Sequence, residues 1–182
     1  MPALEALLII DMQRALLDPE PRPYEVEAVI ERINALSARA RAAGAPVIFV
    51  LHEREGTPLT RGSEGWQLQP GLRVESGDLR LHKTTPDSFN HTELQALLQQ
   101  RGVQRLAICG YASEFCVDTT TRRAAALGYP VRLVADAHTT HDKPHADGAQ
   151  IRAHHNATLS NITSFGPRIE AVPSAELRFE PA

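Results

Sequence analysis

The chain has 182 residues, 42% hydrophobic and 23% charged, enough apolar side chain for a full core within the ~100–200 residues usual for one domain. Lys and Arg number 19 against 22 Asp and Glu, a formal charge of −3 that excludes a basic nucleic-acid footprint spread over the surface. Two cysteines are too few for a secreted disulfide framework, and the opening apolar run lacks a basic lead and stops at Asp11, so neither a signal peptide nor a membrane span is expected. The expectation is one domain over residues 1–182, cytoplasmic, with no nucleic-acid or membrane partner.

In chain order, Leu7-Leu8-Ile9-Ile10 is a continuous apolar run ending at an acid, as in a strand buried on both faces. The stretch from Asp18 to Pro23 has three prolines and cannot be regular structure. From Tyr24 to Ala43, Val26, Val29, Ile30, Ile33, Leu36 and Ala40 repeat at helical spacing, and Gly44 supplies the stop. Pro46 to Leu51 reads as a second buried strand. His52 to Gly77 is a long Gly-, Pro-, Arg- and Glu-rich connection holding the only tryptophan, Trp66. Leu79–Leu81 begins a third strand running toward Lys83. Thr92-Glu93-Leu94-Gln95 has the spacing of a capping box before a helix ending near Gly102. Arg105–Cys109 is a fourth strand. A helix is expected from about Ser113 to Leu127, stopped by Gly128, then a fifth strand over Val131–Val134 leading to Asp136. Gln150–Leu159 reads as a helix and Ile169–Val172 as a last strand.

Repeated strand–helix–strand units predict an α/β fold, a three-layer α-β-α sandwich with a mostly parallel central sheet. Ligands in such sheets bind beyond the carboxyl ends of the strands. Asp11, Lys83 and Cys116 follow the first, third and fourth strands and so share that rim. Their chemistry is complementary. A thiol must lose its proton to attack, a carboxylate can take that proton, and an ammonium stabilises the thiolate. With Ser113 as N-cap, Cys116 is the third helical residue, and the unpartnered N–H groups of the first turn can bind an oxyanion.

The wording around these residues resembles a known family. Ala6-Leu7-Leu8-Ile9-Ile10-Asp11-Met12-Gln13, then Lys83-Thr84-Thr85-Pro86-Asp87-Ser88-Phe89 with Thr92-Glu93-Leu94, then Gly110-Tyr111-Ala112-Ser113-Glu114-Phe115-Cys116-Val117 with Gly128-Tyr129 and Asp136-Ala137, resemble the ordered motifs of the isochorismatase-like cysteine hydrolases. The resemblance runs from Ala6 to Asp136, with weaker support through His154–Leu159. It implies a general base at Asp11, a lysine at Lys83 that supports thiolate and substrate, and a nucleophile at Cys116. It also implies a non-proline cis peptide at Tyr111–Ala112 and an oxyanion hole from the N–H groups of Ala112 and Cys116. The Arg61–Trp66 and Lys83–Phe89 stretches are more similar to amidase-type and streptothricin-hydrolase-like members than to nicotinamidases. The resemblance further implies a homo-oligomer, dimer or tetramer, and a small-molecule substrate, with no cofactor.

Other residues have competing readings. His138, His141 and His145 with Asp136 and Asp142 look like a metal cluster, but they fall in a loop broken by Pro144, and no metal is expected there. His52-Glu53-Arg54-Glu55 stands where nicotinamidases carry an Asp-x-His metal site, and that pattern is absent, so His52 is read as structural or facing substrate. His154 and His155 read as buried, hydrogen-bonded helix residues. Cys109 belongs to a strand interior, although a Cys109–Cys116 disulfide stays open. Gln13, His52, Trp66, Tyr111, Glu114 and Phe115 are the candidates for the substrate pocket, Trp66 being equally able to pack on a neighbouring subunit. The function expected is hydrolysis of a C–N bond in a small amide, ureide or lactam through a Cys116 thioester. Vinyl-ether hydrolysis of an isochorismate-type substrate and a non-enzymatic assembly module are the alternatives.

Overall fold

The computed structural model describes residues 4–181. The apolar runs form β1 (Glu5–Ile10), β2 (Val47–His52), β3 (Leu79–Lys83), β4 (Arg105–Tyr111), β5 (Val131–Thr139) and β6 (Ile169–Val172). They make one sheet in the order β3-β2-β1-β4-β5-β6, and every pairing is parallel. All of β1 is buried, as a central strand covered on both faces must be. Its side chains alternate between two cores. Leu7 and Ile9 join α2 (Val26–Ala42) and Leu17 of the short α1 (Arg14–Leu17), whereas Ala6, Leu8 and Ile10 join α3 (Leu94–Gln100), α4 (Asp118–Ala126) and α5 (Gly148–Ser160). The result is the expected three-layer sandwich. Fully buried side chains such as Ile33 and Leu36 on the inner stripe of α2 contribute about 1.5–3 kcal/mol each. No helix among the described residues is long and apolar enough to cross a membrane.

Local chemistry moves several boundaries. β1 starts at Glu5, two residues before the apolar run, because the buried Glu5 carboxylate is held by the Arg132 guanidinium of β5. No capping box forms at Thr92: Glu93 is the N-cap without a side-chain bond, and the Thr92 hydroxyl donates to the Ser88 carbonyl at 2.6 Å. A complete capping box sits instead at Asp147 and Gln150, so α5 starts at Gly148. β5 runs past Asp136 to Thr139 through a register jump. Ile108 faces Leu133, but Gly110 faces His138. The inserted segment is tied down by Asp136, which accepts from the backbone N–H and hydroxyl of Ser174 at 2.7 and 2.9 Å.

One contact fixes how closely the two central strands meet. Gly110 has φ +120°, and a Cβ there would lie 2.2 Å from the Ile10 carbonyl oxygen and 2.6 Å from its nitrogen. Only glycine fits both the dihedral and the space. Gly110→Ala is therefore expected to lower unfolding stability by more than about 3 kcal/mol in urea denaturation, well beyond an ordinary surface substitution. A loss under about 1 kcal/mol would show that β1 and β4 can separate freely.

Candidate active site

The strand order reverses between β1 and β4, which opens a crevice at the carboxyl edge of the sheet. Asp11 follows β1 there with φ +51°, a left-handed conformation that aspartate tolerates better than most residues. Its amide still donates to the Val50 carbonyl of β2 at 2.8 Å, so the chain turns out of the sheet without losing its anchor. His52 ends β2 and Lys83 ends β3, paired in register. Cys116 follows β4. Four neighbouring strands thus deliver four functional side chains to one place.

Lys83 joins them. Its side chain is wholly buried, and its Nζ lies 2.8 Å from Asp11 Oδ2, 3.3 Å from Cys116 Sγ and 3.2 Å from His52 Nδ1. An ammonium has three protons and only donates, so His52 Nδ1 accepts and the ring proton sits on Nε2. Burial and the Lys83 charge lower the His52 pKa, keeping the ring neutral. Asp11 Oδ1 is buried and has no hydrogen-bond partner among the described residues. The Cys116 thiol is pushed up to about 12 by burial and then by the Asp11 charge, with Lys83 acting the other way. A second buried negative charge is not balanced by one ammonium, so the thiolate forms only as Asp11 takes the proton, with Lys83 favouring it as the sequence reading expected. The resting nucleophile is a thiol beside an orphaned carboxylate oxygen.

Cys116 is placed by an unusual turn. β4 ends at Tyr111, the Tyr111–Ala112 peptide is cis, and Ser113–Val117 form a single π-helical turn before α4. Ser113 is not the N-cap. Its hydroxyl is turned inward to His138 Nδ1 at 2.8 Å, and His138 Nε2 meets Asn156 Oδ1 at 2.8 Å. An amide oxygen only accepts, so Nε2 carries the proton and Ser113 donates to Nδ1. Asn156 Nδ2 closes the chain on the Ala135 carbonyl at 2.8 Å. This buried network pins the nucleophile turn to β5 and α5.

A cleft of about 280 Å³ opens over Asp11 and Cys116. His52, Tyr111 and Phe115 line it as expected, and so do Leu16, Arg54, Leu59 and Pro86, which sequence reasoning missed. Leu59 and Arg54 belong to the long connection, where no periodicity assigns a direction to any side chain. Pro86 is inside the lysine motif, and that position was its only signal. Three pocket candidates are elsewhere. Gln13 is fully buried as a clamp, donating to the carbonyls of His52 and Trp66 at 2.9 Å each and accepting the His52 N–H at 2.8 Å. Trp66 is buried in its own chain's core and stacked on His82 at 5.4 Å, so it neither lines the cleft nor projects to a neighbour. Glu114 accepts from Thr140 at 2.8 Å and pairs with Lys143 at 3.4 Å, bracing the loop after β5.

Cys109 and Cys116 are both free thiols, and buried Cys109 donates to the Leu8 carbonyl at 3.5 Å. The Tyr111 hydroxyl and His141 Nδ1 share a hydrogen bond at 2.8 Å, and burial raises the Tyr111 pKa to about 12. His145 lines a separate hollow of about 440 Å³ with Glu114 and His154, away from the nucleophile. Among the described residues no three His, Cys, Asp or Glu side chains converge as a metal site. His154 and His155 are less buried than expected: His154 is exposed, while His155 bonds the Ile151 carbonyl at 2.8 Å.

A parallel sheet in this order with a cysteine, a carboxylate and an ammonium meeting at its switch point defines an α/β protein with a nucleophile site. Residues 5–164 match the isochorismatase domain, and the chain belongs to the isochorismatase family. It is 38% identical to a streptothricin hydrolase of Streptomyces noursei over 94% of this chain, but spans only 63% of that relative's length. It is 29% identical to the ureidoacrylate amidohydrolase RutB of Pseudomonas savastanoi pv. phaseolicola, over 99% of this chain and 85% of the relative. The crystal structure of an isochorismatase family protein superposes with TM-score 0.84 at 38% identity, covering 92% of this chain and 97% of that one.

The His138 network has a consequence for stability. Burial lowers the His138 pKa to about 4, below its ordinary value near 6.5. Between those values the unfolded chain binds more protons than the folded one, so stability falls as pH drops from about 6.5 to about 4. In urea unfolding across that window, the wild type should lose about 3 kcal/mol more than His138→Gln, since titrations elsewhere are shared. Parallel curves for the two proteins would contradict the assignment.

Proposed function

We propose that this chain is a cysteine hydrolase that opens the C–N bond of a small amide, ureide or lactam through a thioester on Cys116. The observation that carries this reading is the buried Lys83 ammonium, 2.8 Å from Asp11 and 3.3 Å from Cys116, the two residues of the three that line the cleft. With its thiol held protonated, Cys116 must give up the proton as it attacks, and the unpartnered Asp11 Oδ1 is the acceptor. Lys83 holds the other carboxylate oxygen and offsets the charge arriving on sulfur. The oxyanion formed on attack is received by the N–H groups of Ala112 and Cys116, the Ala112 carbonyl being engaged instead by Phe115 and Val117. The C–N bond then breaks, the amine leaves, and water cleaves the thioester.

Two further points support the amide class. The cleft is small and its wall is largely apolar, from Leu16, Leu59, Pro86, Tyr111 and Phe115, which suits a small uncharged acyl group. One relative carries amidohydrolase in its name.

Ammonia or amine release over nicotinamide, ureides, carbamoyl amino acids and lactams, with isochorismate alongside, tests the class. Cys116→Ala should abolish turnover with folding intact. Asp11→Asn should move two quantities in opposite directions. Removing the carboxylate charge lowers the Cys116 pKa, so alkylation by iodoacetamide at neutral pH speeds up, while losing the base slows hydrolysis by about 10²–10⁴-fold. Full activity in Cys116→Ala, or alkylation and hydrolysis falling together in Asp11→Asn, would sink the proposal.

A further inference from the structure

The cleft carries one charge that the fold does not balance. Asp11 is neutralised by the Lys83 ammonium at 2.8 Å, Cys116 rests as a thiol, and the His52 ring is neutral. Arg54 also lines the cleft, exposed at its rim, and its guanidinium has no ion pair or hydrogen bond among the described residues. Its direction follows from the strand before it. Side chains alternate along extended backbone, and the Glu53 amide still donates to the Lys83 carbonyl at 2.8 Å, so the alternation continues past His52. Glu53 turns to the other face, 3.8 Å from His82 and 4.0 Å from Arg61, while His52 and Arg54 turn to the cleft. The Arg54 backbone is held by its own loop. Its amide donates to the Leu59 carbonyl at 3.1 Å, and its carbonyl accepts from the Thr57 hydroxyl at 2.7 Å. A second unfilled donor stands on the same side. His52 Nδ1 accepts from Lys83, so the ring proton is on Nε2, which has no partner among the described residues and is not sealed from solvent.

We propose that Arg54 and the His52 Nε2–H form a carboxylate subsite, and that the substrate carries this carboxylate on the nitrogen side of its scissile bond. On the thioester reading above, on which this rests, the substrate class narrows to N-acyl amino acids with a short, uncharged acyl group such as formyl, acetyl or carbamoyl. The side follows from the strand order β2-β1-β4. The N–H groups assigned to the oxyanion lie past the end of β4. Asp11, which holds the thiol proton for the leaving nitrogen, lies past β1, and His52 and Arg54 lie past β2. A substrate with its carbonyl oxygen toward β4 and its nitrogen toward Asp11 sends its nitrogen substituent on toward Arg54. Attack then breaks the acyl C–N bond, the nitrogen leaves as the amine of the amino acid with the proton from Asp11, and water releases the short acid.

Charge and space both select this end group. A guanidinium offers a carboxylate two parallel N–H bonds, and the apolar wall of Leu16, Leu59 and Pro86 strengthens them by keeping water back. A cationic end group would meet Arg54 as a like charge, and a neutral one would leave that charge unanswered. A cleft of about 280 Å³ is small even for a ligand site, which limits the amino acid to one the size of glycine or β-alanine.

Calorimetric titration of the whole protein carrying Cys116→Ala reads the subsite apart from turnover. The probes are N-acetylglycine and N-carbamoyl-β-alanine, each against a neutral partner, N-propylacetamide and N-propylurea. The acids should bind about 10- to 100-fold more tightly than their partners. Arg54→Gln added to Cys116→Ala should erase that preference, and Arg54→Lys, which keeps the charge but loses the planar fork, should retain part of it. Equal binding of acid and partner, no binding of either acid, or a preference that survives Arg54→Gln overturns the subsite. Wild-type turnover of the same pairs, read as free glycine or β-alanine against propylamine, should favour the acids by a similar factor in kcat/KM. Arg54-dependent binding of acids that the wild type never cleaves overturns the substrate class. If Cys116→Ala hydrolyses the acids as fast as wild type, the thioester reading fails while the subsite stands on its binding data.

Discussion

A buried ammonium is the constraint on which the rest of the site depends. The Lys83 side chain is entirely inaccessible to solvent, and such a charge persists only if its protons find acceptors and its charge finds a partner. It finds Asp11, His52 and Cys116. Removing one partner of such a buried pair leaves an uncompensated charge, at a cost of ~3–5 kcal/mol, so catalytic cluster and folded edge are one object. The same constraint sets the protonation pattern. One ammonium balances one carboxylate, which is why the thiol stays protonated until a substrate draws it into reaction.

The sheet exists in this order to let that lysine reach. β3 and β1 are separated by β2, and a lysine is long enough to pass its neighbour's strand end and meet Asp11 beyond it. The His52 ring stands at that intermediate strand, which makes its contact with Nζ a product of topology. On the other side of β1, Gly110 allows β4 to close against Ile10, and the π turn carries Cys116 back over the gap. The register jump in β5 then brings His138 under Ser113, so the nucleophile turn rests on a buried, fully hydrogen-bonded support.

Much of this was legible in the sequence, for identifiable reasons. Buried parallel strands are rich in apolar residues, so all six strands and the helical stripe of α2 announced themselves. Asp11, Lys83 and Cys116 were found because strand ends place residues on a common rim whatever the loops do. What was illegible depends on long-range partners. Ser113 looks like a cap until His138 is brought beneath it. Gln13 looks like a pocket residue until its amide is seen to clamp β2, and Trp66 until His82 stacks on it. Arg54 and Leu59 reach the cleft from a connection whose path no local pattern encodes. Spacing shows which charges meet around Cys116, but only burial shows how strongly its proton is held.

The claim at the centre of this account is a covalent bond between Cys116 and the acyl half of an amide. Rapid acid quenching during turnover of whichever panel amide is cleaved, followed by peptide mass spectrometry, observes that bond directly. The account predicts an acyl adduct on the Cys116 peptide, released by hydroxylamine and absent from Cys116→Ser. Steady amide hydrolysis with Cys116 unmodified, and retained in Cys116→Ser, would contradict it.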